Sequence, residues 1–192
     1  MTYQQAIKEE CEKYASDEKV RFIGYNTAFG SRMYRTLSDI PVNRIIEMPV
    51  AENLMIGLAI GMALEGYKPV VCFERHDFIL LALDGIINHI DKLPYISNQQ
   101  FRLPIIIRAI VGGVKPINPG PMHCQNHMLL MCQGLHNTPV YNPLNHQELK
   151  EAWQGKGFNQ VKGNRPIPEH RKSGAVVIVE HKDLYNQEIM TP

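Results

Sequence analysis

The sequence predicts an α/β fold: an open, mainly parallel sheet of about six strands with helices on both faces. Three observations carry this. Short runs rich in Val and Ile recur along the chain and alternate with stretches of helical periodicity. The strongest run, Pro104-Ile-Ile-Ile-Arg-Ala-Ile110, is apolar at consecutive positions, as a strand covered by helices on both sides requires. A chain of 192 residues, 44% of them hydrophobic, can bury one full core.

The elements follow in order. Ala6, Ile7, Cys11 and Tyr14 lie at helical spacing, so the first helix is placed over 3–15, with Ser16 and Asp17 as its stop. Strands are expected over 20–24, 44–48, 68–73, 104–110, 139–141 and 175–180. Helices are expected near 31–37, 52–65, 78–93, 125–132 and 146–153. The stretch from Gly155 to Gly174 breaks this pattern, with Lys156, Lys162, Arg165, Arg171 and Lys172 among Gly and Pro. It reads as a solvated basic surface loop, or less simply as a docking surface for a partner.

Composition narrows the function. The formal charge of +1, from 20 basic and 19 acidic residues, supplies no general field that would gather nucleic acid or an anionic membrane. Met1-Thr-Tyr-Gln-Gln5 carries no basic-then-apolar leader, and the most apolar stretch, from Leu54 to Leu64, is too short to span a bilayer, so a cytoplasmic chain is expected. Cys11, Cys72, Cys124 and Cys132 contain no C-x-x-C pair, and no disulfide framework is implied.

In open α/β sheets ligands sit beyond the carboxyl ends of the strands, which directs attention to the loops after Met48, Phe73 and Ile110. The first leads into an apolar helix, from Glu52 to Glu65, that contains Gly57, Ala59, Gly61 and Ala63. A glycine inside a helix costs about 1 kcal/mol relative to alanine, so two of them point to close packing against another backbone, as across a subunit interface. Glu52 stands in the first turn, where the helix dipole favours a carboxylate but desolvation demands a partner. Taken alone, it reads most simply as an acid facing water. His123 follows a loop containing Gly112, Gly113, Pro116, Pro119, Gly120 and Pro121, which places a titratable ring beyond a strand end. His123 and His127 beside Cys124 could be read as a metal pair, but no third ligand is recognisable and no metal site is assigned.

Pro49-Val-Ala-Glu52, Gly57-Leu-Ala-Ile-Gly61 and Gly66-Tyr-Lys-Pro-Val70 occur in that order. They are followed by Asp77-Phe78, Ala82-Leu-Asp84, Ile87-Asn88, Leu103-Pro-Ile-Ile-Ile-Arg108, Pro121-Met-His-Cys-Gln125 and Ala175-Val-Val-Ile-Val-Glu180. Together they resemble the pyrimidine-binding domain of the beta subunit of thiamine-diphosphate-dependent 2-oxo-acid dehydrogenases, of the pyruvate and branched-chain type within the transketolase superfamily. The resemblance runs from about Ala6 to Tyr185 and implies a thiamine-diphosphate-binding fold. Residues 1–192 are then expected to be a single pyrimidine-binding domain, without the further C-terminal domain usual in the family.

The resemblance also implies roles. Glu52 is expected to be catalytic and cofactor-binding, hydrogen-bonding a pyrimidine ring nitrogen of thiamine diphosphate so that the neighbouring amine can take the thiazolium proton. His123 is expected to bind substrate or act in acid–base chemistry. His76 and Phe78 are the candidates for a ring packed against the pyrimidine, although ordinary core packing explains Phe78 as well. Arg75, His76 and Gly85 depart from the family pattern, the first two in a way that fits a different substrate.

The chain has no Gly-Asp-Gly motif, and Asp84-Gly85 follows Leu83 inside an expected helix. An alpha-type subunit is therefore expected to hold the diphosphate and Mg2+ through hard oxygen ligands. The expected assembly is a heterotetramer, with two copies of this chain paired through the helix from Glu52 to Glu65, and with a lipoyl acyltransferase as a further partner. The reading implied is decarboxylation of a small 2-oxo acid with transfer of the acyl group. Split transketolase-type ketol transfer, simple decarboxylation and a non-catalytic interaction subunit remain as alternatives. A generic nucleotide-binding domain ranks last, because the turn from Ile23 to Gly30 does not form G-x-G-x-x-G.

Overall fold

The Val- and Ile-rich runs become β1 (Val20–Gly24), β2 (Ile45–Glu47), β3 (Lys68–Phe73), β4 (Ile106–Val111), β5 (Val140–Tyr141) and β6 (Val176–His181). They form one sheet in the order β2-β1-β3-β4-β6-β5, every neighbouring pair parallel. The structure, a computed structural model, describes residues 1–114, 118–155 and 173–189. The basic loop lies outside the described residues from 156 to 172. The helices are α1 (Tyr3–Ala15), α2 (Glu52–Leu64), α3 (Leu93–Ile96), α4 (Met128–Gly134) and α5 (His146–Trp153). No helix among the described residues is long and apolar enough to cross a membrane.

Because side chains alternate along a strand, each buried strand feeds two cores. Ile23, Val71, Phe73, Ile107, Ala109, Val177 and Val179 meet Met55, Ile56 and Ala59 of α2 on one face. Phe22, Val70, Cys72, Ile110, Val176 and Ile178 meet Ala6, Ile7 and Cys11 of α1 and Leu149, Ala152 and Trp153 of α5 on the other. Thr2 caps α1 in a reciprocal box with Gln5, and Asn145 caps α5 through the Glu148 amide.

Two expected helices take other forms. Over 31–37 the backbone is a left-handed turn: Arg32, Met33, Tyr34 and Arg35 have φ of 47°, 51°, 51° and 65°, and the Arg35 amide donates to the Ser31 carbonyl at 2.8 Å. Each such residue costs roughly 1–2 kcal/mol, so the surroundings must hold the turn. Met33 is fully buried, and Arg32 donates to the Ser38 and Ile40 carbonyls at 2.8 and 2.7 Å. Over 78–93 the segment is 3-10 (His76–Ala82), then a π turn (Gly85–Ile90), then α3. A Cβ on Gly85 would come 2.6 Å from Ile56 Cγ2, so this segment lies too close to α2 for any side chain there.

Arg108, in the middle of β4, is wholly buried on the α1 face. Its Nε and Nη2 donate to the Glu180 carboxylate at 2.6 and 3.0 Å, Nη2 also to Thr36 Oγ1 at 3.0 Å, and Nη1 to Cys11 Sγ at 3.3 Å. Tyr185 donates its hydroxyl to Glu180 at 2.9 Å. Removing one partner of a buried pair strands the other charge, at a cost of about 3–5 kcal/mol, whereas replacing both by apolar groups is far milder. In urea denaturation, Arg108→Met or Glu180→Leu alone should lose stability of that order, and the double variant should lose less than either single one.

Candidate functional site

The chain moves outward from β1 to β2, then crosses back to β3 on the other side of β1. That reversal leaves a crevice beyond the carboxyl ends of β1 and β3, where open α/β sheets take their ligands. Four loops meet there, and one acid positions the first of them. Glu47, the last residue of β2, accepts from the amides of Asn26, Thr27 and Ala28 at 2.6, 3.0 and 2.7 Å and from Thr27 Oγ1 at 3.1 Å. This carboxylate stands in for a backbone turn and holds Tyr25 at the end of β1.

Glu52 opens α2 behind Ala51, whose side chain offers no cap. It is only 3% exposed, and its Oε1 has no hydrogen-bond partner among the described residues. Burial raises the pKa of the nearby Tyr25 phenol, and the charge of Glu52 adds to the rise. The Tyr25 hydroxyl is also buried and unpartnered. The Tyr25 ring stands 6.1 Å from Phe78, and Phe78 meets His123 edge-on at 5.4 Å. Tyr25, Phe78 and His123 are thus linked ring to ring, with Glu52 close enough to act on the Tyr25 phenol through its charge.

His76 is placed differently. It is fully buried, its Nδ1 accepts from the His127 amide at 2.9 Å, and its ring lies 5.9 Å from the His127 ring. Burial and the neighbouring His127 push its pKa down to about 4, so the ring is neutral near pH 7. Asp77 Oδ1 accepts from Gln125 Nε2 at 2.9 Å and from the Gln125 amide at 3.3 Å, tying the loop after β3 to the loop that carries His123. His76 Nε2, Asp77 Oδ2 and His127 Nε2 are buried without hydrogen-bond partners among the described residues. Since His123 turns to Phe78 and His127 to His76, the two rings do not act as a pair. No group of three or more His, Cys, Asp or Glu side chains among the described residues could hold a metal ion.

Sequence reasoning gave no role to Glu47, Tyr25 or Asp77 and considered His127 only as a metal ligand. Glu47, Tyr25 and Asp77 each stand at or just after a strand end, a position that is itself the only available signal.

Residues 1–187 match the family described as the transketolase pyrimidine-binding domain. The chain belongs to that family. Among curated relatives of this pyrimidine-binding domain, the pyruvate dehydrogenase E1 component subunit beta of Rickettsia conorii is 27% identical over 190 residues, covering 88% of this chain and 58% of that protein. The subunit of the same name from Porphyra purpurea is 30% identical over 193 residues, covering 97% and 52%. That from Cyanidium caldarium is 34% identical over 113 residues, covering 57% and 33%. The domain thus spans between 33% and 58% of the length of these relatives. A solved structure described as a split-gene transketolase in an inactive β4 tetramer shares the fold, with a TM-score of 0.65 and 19% identity, covering 99% of this chain and 52% of that one.

A neutral, buried His76 makes stability depend on pH. Its folded pKa lies below the unfolded value near 6.5, so its contribution is complete above 6.5 and is lost as pH falls toward 4. Replacing His76 with Asn, which can accept the His127 amide but does not titrate, should remove about 3 kcal/mol of the stability lost between pH 7 and pH 4. Urea midpoints of both proteins across that range provide the check; parallel curves would contradict it.

Proposed function

We propose that this chain is the pyrimidine-binding subunit of a split thiamine-diphosphate-dependent enzyme that decarboxylates a 2-oxo acid and passes on the acyl group. One observation carries the reading: a desolvated carboxyl oxygen, Glu52 Oε1, with nothing to bond, at the crevice of a domain whose family binds a pyrimidine. A buried polar atom without a partner is costly, and a ring nitrogen of an aminopyrimidine is the complement such a carboxyl lacks. The relatives named as pyruvate dehydrogenase subunits supply the substrate class.

The residues present fit such a cofactor. Glu52 would hold a proton at Oε1 toward the ring, and Phe78 would offer an apolar face, with Tyr25 completing the wall. When bound, thiamine diphosphate supplies carbanion stabilisation. His123, half-buried on the outer side of Phe78, would handle substrate protons. His76 and Asp77 act through other groups in this scheme, His76 by fixing the His127 amide and Asp77 by holding Gln125. With no Gly-Asp-Gly in the chain, the diphosphate and its Mg2+ fall to an alpha-type subunit, and a lipoyl acyltransferase would be the acceptor. Residues 1–192 are read as one domain.

A second copy is read onto α2. Leu54 (56% exposed), Gly57, Gly61 and Leu64 (46%) recur at spacings of three and four along one exposed side of the helix, and Val50 (73%) is exposed just before it. A Cβ on Gly57 or Gly61 would meet nothing within 4 Å, so the chain's own packing does not require these glycines. Gly57→Leu should therefore leave the melting temperature unchanged or raised while weakening self-association, read by sedimentation velocity.

Coexpression with a diphosphate-binding alpha-type subunit, followed by CO2 release from a panel of 2-oxo acids with thiamine diphosphate and Mg2+, tests the function. Turnover should require both chains, and Glu52→Gln should lower it by roughly 10²–10⁴-fold at unchanged assembly. Near-normal turnover in Glu52→Gln or Glu52→Ala would remove the central residue.

A further inference from the structure

The loops at the same strand ends build a second cluster on the α1 side of the sheet. The Lys182 ammonium, just past β6, lies 3.5 Å from the centroid of the Tyr34 ring and 4.7 Å from that of Tyr185. The Arg75 guanidinium, just past β3, lies over the same Tyr34 ring at 5.7 Å. Arg75 Nη1 donates to the Gly112 carbonyl at 2.6 Å. Among the described residues neither cation has an ion pair, and no hydrogen-bond acceptor meets the Lys182 ammonium. The two nearby carboxylates keep their charge and are held by neutral donors: Glu74 accepts from Asn26 Nδ2 at 3.2 Å and from Ser31 Oγ, and Asp183 accepts from the Gly113 amide at 3.3 Å.

The backbone is shaped to bring these two charges together. Tyr34 belongs to the left-handed turn, with φ of 51°. Gly112 and Gly113 both have positive φ, and a Cβ on Gly113 would stand 2.5 Å from Lys182 Cγ and 3.2 Å from Arg75 Nη1. Strain and glycine are concentrated where two like charges converge on one aromatic ring, with the Glu74 and Asp183 carboxylates as nearby countercharges and Asp183 Oδ2 against the Gly112–Gly113 turn.

We propose that Arg75 and Lys182, roofing Tyr34 beside the Gly112–Gly113 turn, form a binding subsite for the oxyanion group, carboxylate or phosphate, of a small acid. Arg75 bonds the Gly112 carbonyl and interacts with the Tyr34 hydroxyl, and the rest of its planar guanidinium suits an oxyanion, while Lys182 supplies a point charge. Burial first, and then Arg75, hold the Lys182 pKa down to about 8, against the raising influence of Glu74 and Asp183. A bound oxyanion would reverse that shift.

Trace acetylation of the full chain with acetic anhydride, read at Lys182 by mass spectrometry across pH, measures this ionisation directly. The runs compare sodium chloride, sodium phosphate and sodium pyruvate at one ionic strength. The midpoint should lie at about 8 in chloride, and a rise of about one pH unit with oxyanion should cut labelling at pH 8 by about fivefold. Protection by phosphate alone assigns a phosphate ligand, by pyruvate alone a carboxylate, and by both a general oxyanion site. In Arg75→Met the chloride midpoint should rise and the oxyanion response should vanish; Arg75→Gln replaces it if that variant melts early. Equal labelling in all three salts, or an undiminished response without Arg75, overturns the proposal.

Discussion

A guanidinium buried in the centre of a parallel sheet can be tolerated only if its donors are met, and Arg108 organises the α1 side of this domain around that demand. Its partners come from distant parts of the chain: Cys11 on α1, Thr36 at the end of the left-handed turn, and Glu180 on β6. Tyr185 completes the set by donating to Glu180, and Arg108 also stacks over Trp153 of α5. One charge pair thus ties two helices, the strained turn and the last strand to the middle of the sheet. The turn that carries Tyr34 and the strand end that carries Lys182 are both fastened to it within a few residues.

The carboxyl edge of the sheet is built on the opposite principle. Glu180 and Glu52 are both buried acids, yet Glu180 accepts from Arg108 and Tyr185 while Glu52 Oε1 accepts from nothing. Native proteins leave few buried polar atoms without partners. Here, among the described residues, Glu52, Tyr25, His76, Asp77 and His127 each contribute one, and all sit in the segments that follow strands β1 to β4. The Arg108–Glu180 cluster is closed on itself, and the carboxyl edge is left with unmet polar capacity.

The two halves were unequally legible in the sequence. Strand runs such as Lys68–Phe73 and Val20–Gly24 were readable because burial on both faces imposes a continuous apolar pattern. The same pattern hid Arg108, which reads as one charge in an apolar strand until Glu180, 72 residues away, is brought beside it. The segment over 31–37, expected as a helix, is a left-handed turn, because a helical pattern of residues carries no information about handedness. The helix expected over 78–93 is instead 3-10 and π segments, with Gly85 packed against Ile56 of α2, a pairing made only by tertiary packing. The roles of Glu52, Phe78 and His123 were named only through resemblance. Their link through Tyr25 depends on Glu47 shaping the β1 loop, a tertiary contact that no local pattern encodes.

Two continuous segments connect the Glu52 crevice to the cationic cluster. Residues 74–78 give Glu74 and Arg75 to the Tyr34 side and His76, Asp77 and Phe78 to the Glu52 side, so adjacent residues of one short loop serve opposite faces of the sheet. The loop after β4 leaves the cationic cluster at Gly112 and Gly113 and reaches the rings at His123, where Asp77 holds it through Gln125. An anion drawing Arg75 toward itself would act on the stretch that orients Phe78. Binding energy gained by a remote, non-reacting group can in this way be used to position the reacting end of a molecule. The physical requirement is a stiff connection, and the Asp77–Gln125 bonds together with the buried His76–His127 contact supply it.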